Sequence, residues 1–238
     1  LLHNAAFDHQ DLNYVYVASP VHPDNIADAV KGIRALGIVG SNVTIPHKER
    51  VLPLVDELTD DAEAVGAVNT IVSAADEHGR TTLTGDNTDI AAFLDPLKPY
   101  LNDLTGSRVV IFGSGGAARA VAYAVTTTIK PAQCTIAART PRKAERLISD
   151  LSPYDPDNSL TVSSLETAAP AVRASQLLVN ATPVGMHPDT DNTIWPDADD
   201  LHADQIAYDL VYRPRQTRWL QEASERGAET IGGLQMLI

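Results

Sequence analysis

Residues Arg108–Gly113 (RVVIFG) form a compact apolar run that passes directly into Gly113-Ser114-Gly115-Gly116-Ala117-Ala118 and then into an alanine-rich stretch ending near Val125. A short buried strand, a glycine turn and a helix in that order leave few architectures open. The unit needs a second parallel strand, reached through the helix as a crossover. The partner strands are legible downstream. CTIAA reads as a second buried strand, ARTPRKAERLISDL as a second helix, QLLVNAT as a third strand and QIAYDLVY as a fourth. Strands apolar on both faces, separated by helical crossovers, predict a parallel α/β sheet. The stretches 154–159 and 187–204 are rich in Pro and Asp and read as loops.

The glycine turn departs from G-x-G-x-x-G, because Ala118 stands at the third glycine position. Small residues still let the backbone approach a pyrophosphate, and the helix start supplies N–H donors and positive potential. Its place after RVVIF favours a dinucleotide site of Rossmann-like type over a plain tight turn. The end of the next strand selects the cofactor. A site for NAD would place Asp or Glu there for the ribose 2′-hydroxyl. Here the residues are Arg139-Thr140-Pro141-Arg142-Lys143. Three cations and a hydroxyl suit a 2′-phosphate, and cations in a helix's first turn oppose its dipole unless an anion binds there. NADP is therefore favoured over NAD.

The first hundred residues alternate differently. Leu1–Gln10 predicts a helix, and Asn13–Ala18 (NYVYVA) alternates with period two as a strand does. Pro23 opens a helix with Ile26, Val30, Ile33 and Leu36 on one face and Gly37 as its stop. IVGSNVTI predicts a strand, and a helix is expected around Arg50–Leu58. AVNTIVSA and TTLTGDN, joined by the turn-rich ADEHGR, predict a hairpin. A domain boundary is expected near Pro96–Thr105, after the helix TDIAAFLDPL. The expectation is two α/β domains. Residues 1–100 would hold substrate, 101–213 would hold NADP on a parallel sheet, and 214–238 would return to the first domain.

Polar groups crowd the strand ends of the first part: NVTIPHK, GAVNT and GDNTD, joined by the later YDLVY. Several orienting amides and hydroxyls beside one proton donor are what a dehydrogenase of a hydroxylated substrate needs. Lys48 and Asp89 are the acid/base candidates. A lysine at its reference pKa of about 10.4 has to be tuned to move protons near neutrality. Taken singly, Lys48 reads as a solvated helix cation and Asp89 as a helix cap after Thr88; the joint pattern favours chemistry.

Gly-Ser-Asn-Val-Thr-Ile-Pro-His-Lys-Glu (40–49), Gly-Ala-Val-Asn-Thr (66–70), Gly-Asp-Asn-Thr-Asp (85–89), Gly-Ser-Gly-Gly-Ala-Ala-Arg (113–119), Asn-Ala-Thr-Pro-Val-Gly-Met (180–186) and Tyr-Asp-Leu-Val-Tyr (208–212) together resemble the shikimate dehydrogenase family, in the family's order across nearly the whole chain. The resemblance implies NADP-dependent, reversible reduction of 3-dehydroshikimate to shikimate, in aromatic amino-acid biosynthesis. It implies Lys48 and Asp89 as the catalytic pair, with Asn42, Thr44, Asn69 and Tyr212 holding the substrate. It implies Gly113, Ser114, Gly115, Gly116, Ala117, Arg139, Thr140 and Lys143 as NADP ligands, with Leu210 and Gly233 near the nicotinamide. Ala138 departs from the Asn that the family often carries before the Arg-Thr pair. The chain opens on Leu1 and ends on Ile238, inside the family's pattern at both ends, and is expected to be a truncated form that binds NADPH better than it turns over shikimate. A quinate/shikimate enzyme and a non-catalytic NADP-binding fragment are the alternatives.

Composition bounds the remaining classes. A net charge of -13 argues against nucleic acid as partner. No run approaches the ~18 apolar residues of a membrane span, and no metal cluster is expected. The single cysteine, Cys134, excludes an internal disulfide framework, reads as a core residue and suits a reducing, cytoplasmic setting. Oligomeric state is not legible. Of 31 acids 22 are Asp, and of 18 bases only 5 are Lys. Such a surface suits a salt-rich medium, where screening suppresses self-repulsion. Its melting temperature should rise from low to molar salt; an unchanged value would remove that reading.

Overall fold

The computed structural model describes residues 2–237. Helix α1 (Leu2–His9) comes first, and α2 (Ile26–Ala35) buries Val30 and Ile33 before Gly37, at φ +63°, ends it. Strands β1 (Gly40–Asn42), β2 (Glu57–Leu58), β3 (Thr70–Ala75) and β4 (Thr81–Asp86) form a small sheet in the order β1-β3-β4-β2. The β3–β4 hairpin is antiparallel as expected, and β2 joins β4 in parallel. Helix α3 (Asp60–Val65) links β2 to β3, and Val51, Ala62, Val68, Ile71 and Leu83 pack with α2 beneath the sheet.

The chain leaves this sheet through α4 (Asp89–Leu94) and α5 (Leu101–Leu104). It then builds β5 (Arg108–Phe112), α6 (Gly116–Ala124), β6 (Gln133–Ala138), α7 (Pro141–Leu151), β7 (Leu160–Ser164), α8 (Ala169–Ala174), β8 (Leu177–Asn180), β9 (Ile206–Asp209), α9 (Arg218–Glu225), β10 (Glu229–Gly232) and α10 (Leu234–Leu237). The six strands pair only in parallel, in the order β10-β9-β8-β5-β6-β7. One face buries Phe93, Leu97, Ile111, Ile136 and Tyr208, with the Phe93 and Tyr208 rings stacked at 5.1 Å. The other buries Phe112, Trp195, Trp219 and Leu220. The chain order reverses between β5 and β8, so the glycine turn after β5 lies where parallel sheets bind their ligands.

Three expectations need correction, and two elements went unanticipated. Asn13–Ala18 is not a strand, since no described strand pairs with it; instead the Asn4 side chain brackets Tyr16, donating to its carbonyl at 3.1 Å and accepting from its amide at 2.6 Å. Period two makes a strand only where a neighbour supplies the ladder. Arg50–Leu58 is not a helix beyond a single turn at Leu52–Leu54. Pro53 removes a donor there, and Asp56 docks on β4 by accepting the Leu83 amide at 2.7 Å. β7 and α8, in a region without a clear periodic signal, were not anticipated. Finally, most of 214–238 does not return to the first sheet. Strand β10 pairs with β9, and Trp219, Leu220 and Ala223 of α9 are buried in the larger sheet's core, while α10 packs on α4.

Candidate active site

Lys48 follows the end of β1 and is drawn inward by its backbone, whose carbonyl accepts the Val68 amide at 2.8 Å. Asp89 is the first residue of α4. Its neighbour Thr88 makes no side-chain cap, and the Asp89 carboxylate turns instead toward Lys48. One carboxylate oxygen accepts from the Lys48 ammonium, and the other accepts from Asn69 Nδ2 at 2.8 Å. Asn69 is itself fixed on every side. Its Oδ1 accepts from the Thr88 amide at 3.0 Å and from the Thr70 hydroxyl at 2.9 Å. Asn87 anchors the same turn, donating to the Ala67 carbonyl at 2.8 Å and accepting the Asp89 amide at 3.1 Å. The Lys48 and Asp89 side chains are 14% and 13% exposed, enough for contact with a ligand and too little for free hydration. An ammonium has three donors, so the one held by Asp89 leaves two for a substrate oxygen.

The expected substrate residues divide. Asn69 belongs to the catalytic cluster. Asn42 and Thr44 stand exposed on the strand end leading to Lys48, and Tyr212 is 49% exposed beyond β9. No hydrogen bond among the described residues ties these three to the cluster.

The expected cofactor residues come together more fully. Gly113 sits at φ +115°, and a Cβ there would approach Thr182 Cγ2 to 2.9 Å, so this corner of the turn requires glycine. Ser114 and Gly115 line a cleft of about 530 Å³ together with Glu49, Leu52, Gly66, Arg119, Lys143, Arg146 and Asp150. Gly116 and Ala117 open the first turn of α6, directly after the cleft-lining Ser114 and Gly115. A Cβ on Gly116 would stand 3.2 Å from that of Lys48, so the glycine turn and the proposed proton donor are in contact. Arg139, Thr140 and Lys143 are exposed around the start of α7, whose first turn carries no acid. Leu210 and Gly233 also meet: a Cβ at 233 would lie 2.3 Å from the Leu210 carbonyl oxygen.

Two buried charged positions carried no role in the sequence reading. Arg119, buried on α6, donates to the Val65 carbonyl at 2.7 Å. Asp209, fully buried at the end of β9, accepts from Thr217 Oγ1 at 2.6 Å, from Asn180 Nδ2 at 3.0 Å and from the Val211 amide at 3.0 Å. It thereby holds the strand end that carries Leu210 and Tyr212. A charged residue inside an apolar motif, as in Tyr-Asp-Leu-Val-Tyr, was the available signal.

With this geometry in hand, the comparisons are specific. The profile described as "Shikimate dehydrogenase substrate binding domain" matches residues 1–71. The NADP(+) shikimate dehydrogenase of Salinibacter ruber is 54% identical over 239 residues, covering 100% of this chain and 82% of that protein. A shikimate dehydrogenase crystallised with NADP+ superposes with a TM-score of 0.86 at 38% identity, over 100% of this chain and 80% of that one. A quinate dehydrogenase from Corynebacterium glutamicum in complex with NAD gives 0.84 at 31%, over 99% and 83%. Fold and relatives together define the class, a nicotinamide-dependent dehydrogenase with a parallel six-stranded sheet and a separate small sheet. The chain belongs to the shikimate dehydrogenase family.

Burial raises the Asp209 carboxyl to about 6, against the three hydrogen bonds that favour its ionised form. A carboxyl raised above its unfolded value contributes stability fully below about pH 4, and that contribution is lost as pH rises through about 6. The shift corresponds to about 3 kcal/mol. Asp209→Asn, which cannot ionise, should therefore gain on wild type as pH rises from 4 to 6.5 in chemical denaturation. Parallel pH profiles for the two proteins would refute the assignment.

Proposed function

We propose that this chain catalyses the NADP-dependent, reversible reduction of 3-dehydroshikimate to shikimate. The observation that carries the reading is the Lys48–Asp89–Asn69 cluster seated against Gly116, which puts a proton donor beside the turn that would hold the cofactor. The relatives' names supply the substrate class and the cofactor. The donor set fits NADP: glycines that admit a pyrophosphate at a helix start, and cations at 139 and 143 for the 2′-phosphate.

When bound, the nicotinamide cofactor would supply the hydride for reduction of the carbonyl carbon and accept it in the reverse direction. Lys48 gives its proton to the C3 oxygen in reduction and takes it back in oxidation. Asp89 holds the ammonium and polarises the reacting hydroxyl, and Asn69 keeps the carboxylate in place. Asn42, Thr44 and Tyr212 would hold the remaining hydroxyls and the carboxylate. Gly113, Ser114, Gly115, Gly116 and Ala117 would bind the pyrophosphate, with Arg139, Thr140 and Lys143 on the 2′-phosphate and Leu210 and Gly233 beside the nicotinamide. In this reading residues 1–100 are the substrate domain and 101–213 the core of the cofactor domain, in a cytoplasmic enzyme. Among the described residues no helix is long and apolar enough to cross a membrane; cell fractionation would test the compartment.

The likeness to a quinate dehydrogenase favours one second reading, a broader enzyme that accepts quinate. Assaying shikimate and quinate with NADP and NAD separates the two; shikimate with NADP should be preferred. Lys48→Ala should lower kcat by about 10²–10⁴ with KM little changed, the pattern of a group acting mainly in the transition state. A large KM rise with intact kcat would make Lys48 a binding residue. Arg139→Glu should weaken NADP(H) roughly tenfold or more through the lost charge-assisted contacts, and NAD(H) far less. Equal losses in a titration of the two cofactors would remove NADP specificity from Arg139.

A further inference from the structure

We infer that Arg119 is a positioning residue that ties the cofactor helix to the Lys48–Asp89 pair and sets the register between hydride and proton transfer. This rests on the activity proposed above. Arg119 lies on the second turn of α6, three residues after Gly116, and is only 9% exposed. A buried guanidinium is costly unless its donors are met, and as a stabiliser it is no better than a packed apolar side chain. Its use is in where it points. Nε donates to the Val65 carbonyl at 2.7 Å and Nη2 to Asp150 Oδ2 at 2.8 Å. Val65 is the last residue of α3, where carbonyls lack intrahelical donors. Gly66 turns left-handed there, and a Cβ on it would sit 3.0 Å from Arg119 Nη2.

The segment that Arg119 clasps is the one that builds the catalytic cluster. Ala67 accepts from Asn87, Val68 donates to the Lys48 carbonyl, Asn69 donates through its backbone to Asp86 and through its side chain to Asp89. The same helix seats Gly116 directly on Lys48. Helix α6 thus meets the small sheet's side twice, at Gly116 against Lys48 and at Arg119 against Val65, and Arg119 and Asp150 also line the cleft beside Ser114 and Gly115. Asp150, on α7, holds the guanidinium from the helix that also carries Lys143. Reacting groups have to be held to near-contact geometry, and a displacement of about 1 Å costs about 10²-fold.

The test uses Arg119→Met and Arg119→Lys. In Arg119→Met, kcat for shikimate oxidation should fall about tenfold or more. The KM for shikimate and the NADPH dissociation constant from fluorescence should stay within about threefold. The primary isotope effect on kcat with C3-deuterated shikimate should rise. Amide exchange at Val68 and Asn69 should quicken while that of β5 and β6 holds. Arg119→Lys should recover part of kcat. The inference is overturned by a kcat within about twofold of wild type, by a loss confined to NADPH binding, or by unchanged exchange at Val68 and Asn69. If Arg119→Met does not fold, Asp150→Asn serves: it loosens one anchor and should lower kcat about threefold with the same exchange signature, and no change in either overturns the inference. If wild type itself does not oxidise shikimate, the proposed activity fails, and the amide exchange still decides the tie.

Discussion

Gly116 has no side chain, and that vacancy is where the two sheets are joined. A Cβ at this position would press on Lys48 at 3.2 Å and on Ala67 at 3.7 Å. The close approach lets a helix of the parallel sheet lie against the small sheet's polar rim without an intervening side-chain layer. Arg119, one turn on, secures the contact through Val65. The α4 helix closes it from the other side, with Asp89 on Lys48 at one end and Phe93 stacked on Tyr208 further along. In the proposed reaction the proton would come from Lys48, beside the small sheet, and the hydride from a cofactor held on the parallel sheet, so that reaction depends on this junction.

Charge is distributed to match. The chain is acidic overall, yet Arg139, Arg142 and Lys143 cluster around one helix start without an acid in its first turn. Where carboxylates are buried, they are surrounded by donors. Asp155 accepts the Ser159 and Leu160 amides, and Asp200 accepts from Arg173 and Trp195. Asp209 is held the same way, beneath the strand end that carries Leu210. Each is a local crossbrace near a strand end or loop, which is where irregular backbone has to be given partners.

Much of this was legible beforehand for a physical reason. β5, the glycine turn, α6, β6 and α7 announce themselves because their signals are local: buried strands are apolar throughout, helices repeat on one face, and a glycine turn has a fixed place between them. The polar strand ends of 42–48, 69 and 85–89 stood out because so many amides, hydroxyls and charges fall within a few positions of one another, although Asn69 and Asn87 also brace the backbone. Asn13–Ala18 misled, since alternation describes a strand only when another strand is present to pair with it. Arg50–Leu58 misled because Pro53 and the docking of Asp56 on β4 outweigh a weak helical pattern.

The residues by themselves determined the parallel α/β sheet, the glycine turn and the cations after the next strand, because each of these signals is written within a dozen or so neighbouring positions; Lys48 and Asp89 became candidates only through the joint pattern of segments spread along the chain. Only the tertiary structure decided that Lys48 meets Asp89 from 41 positions away, that Asn69 orients the carboxylate, that Arg119 reaches across to Val65, and that the last strand extends the large sheet. These are contacts between segments whose approach is set by packing, and no local pattern specifies which carbonyl a distant guanidinium will find.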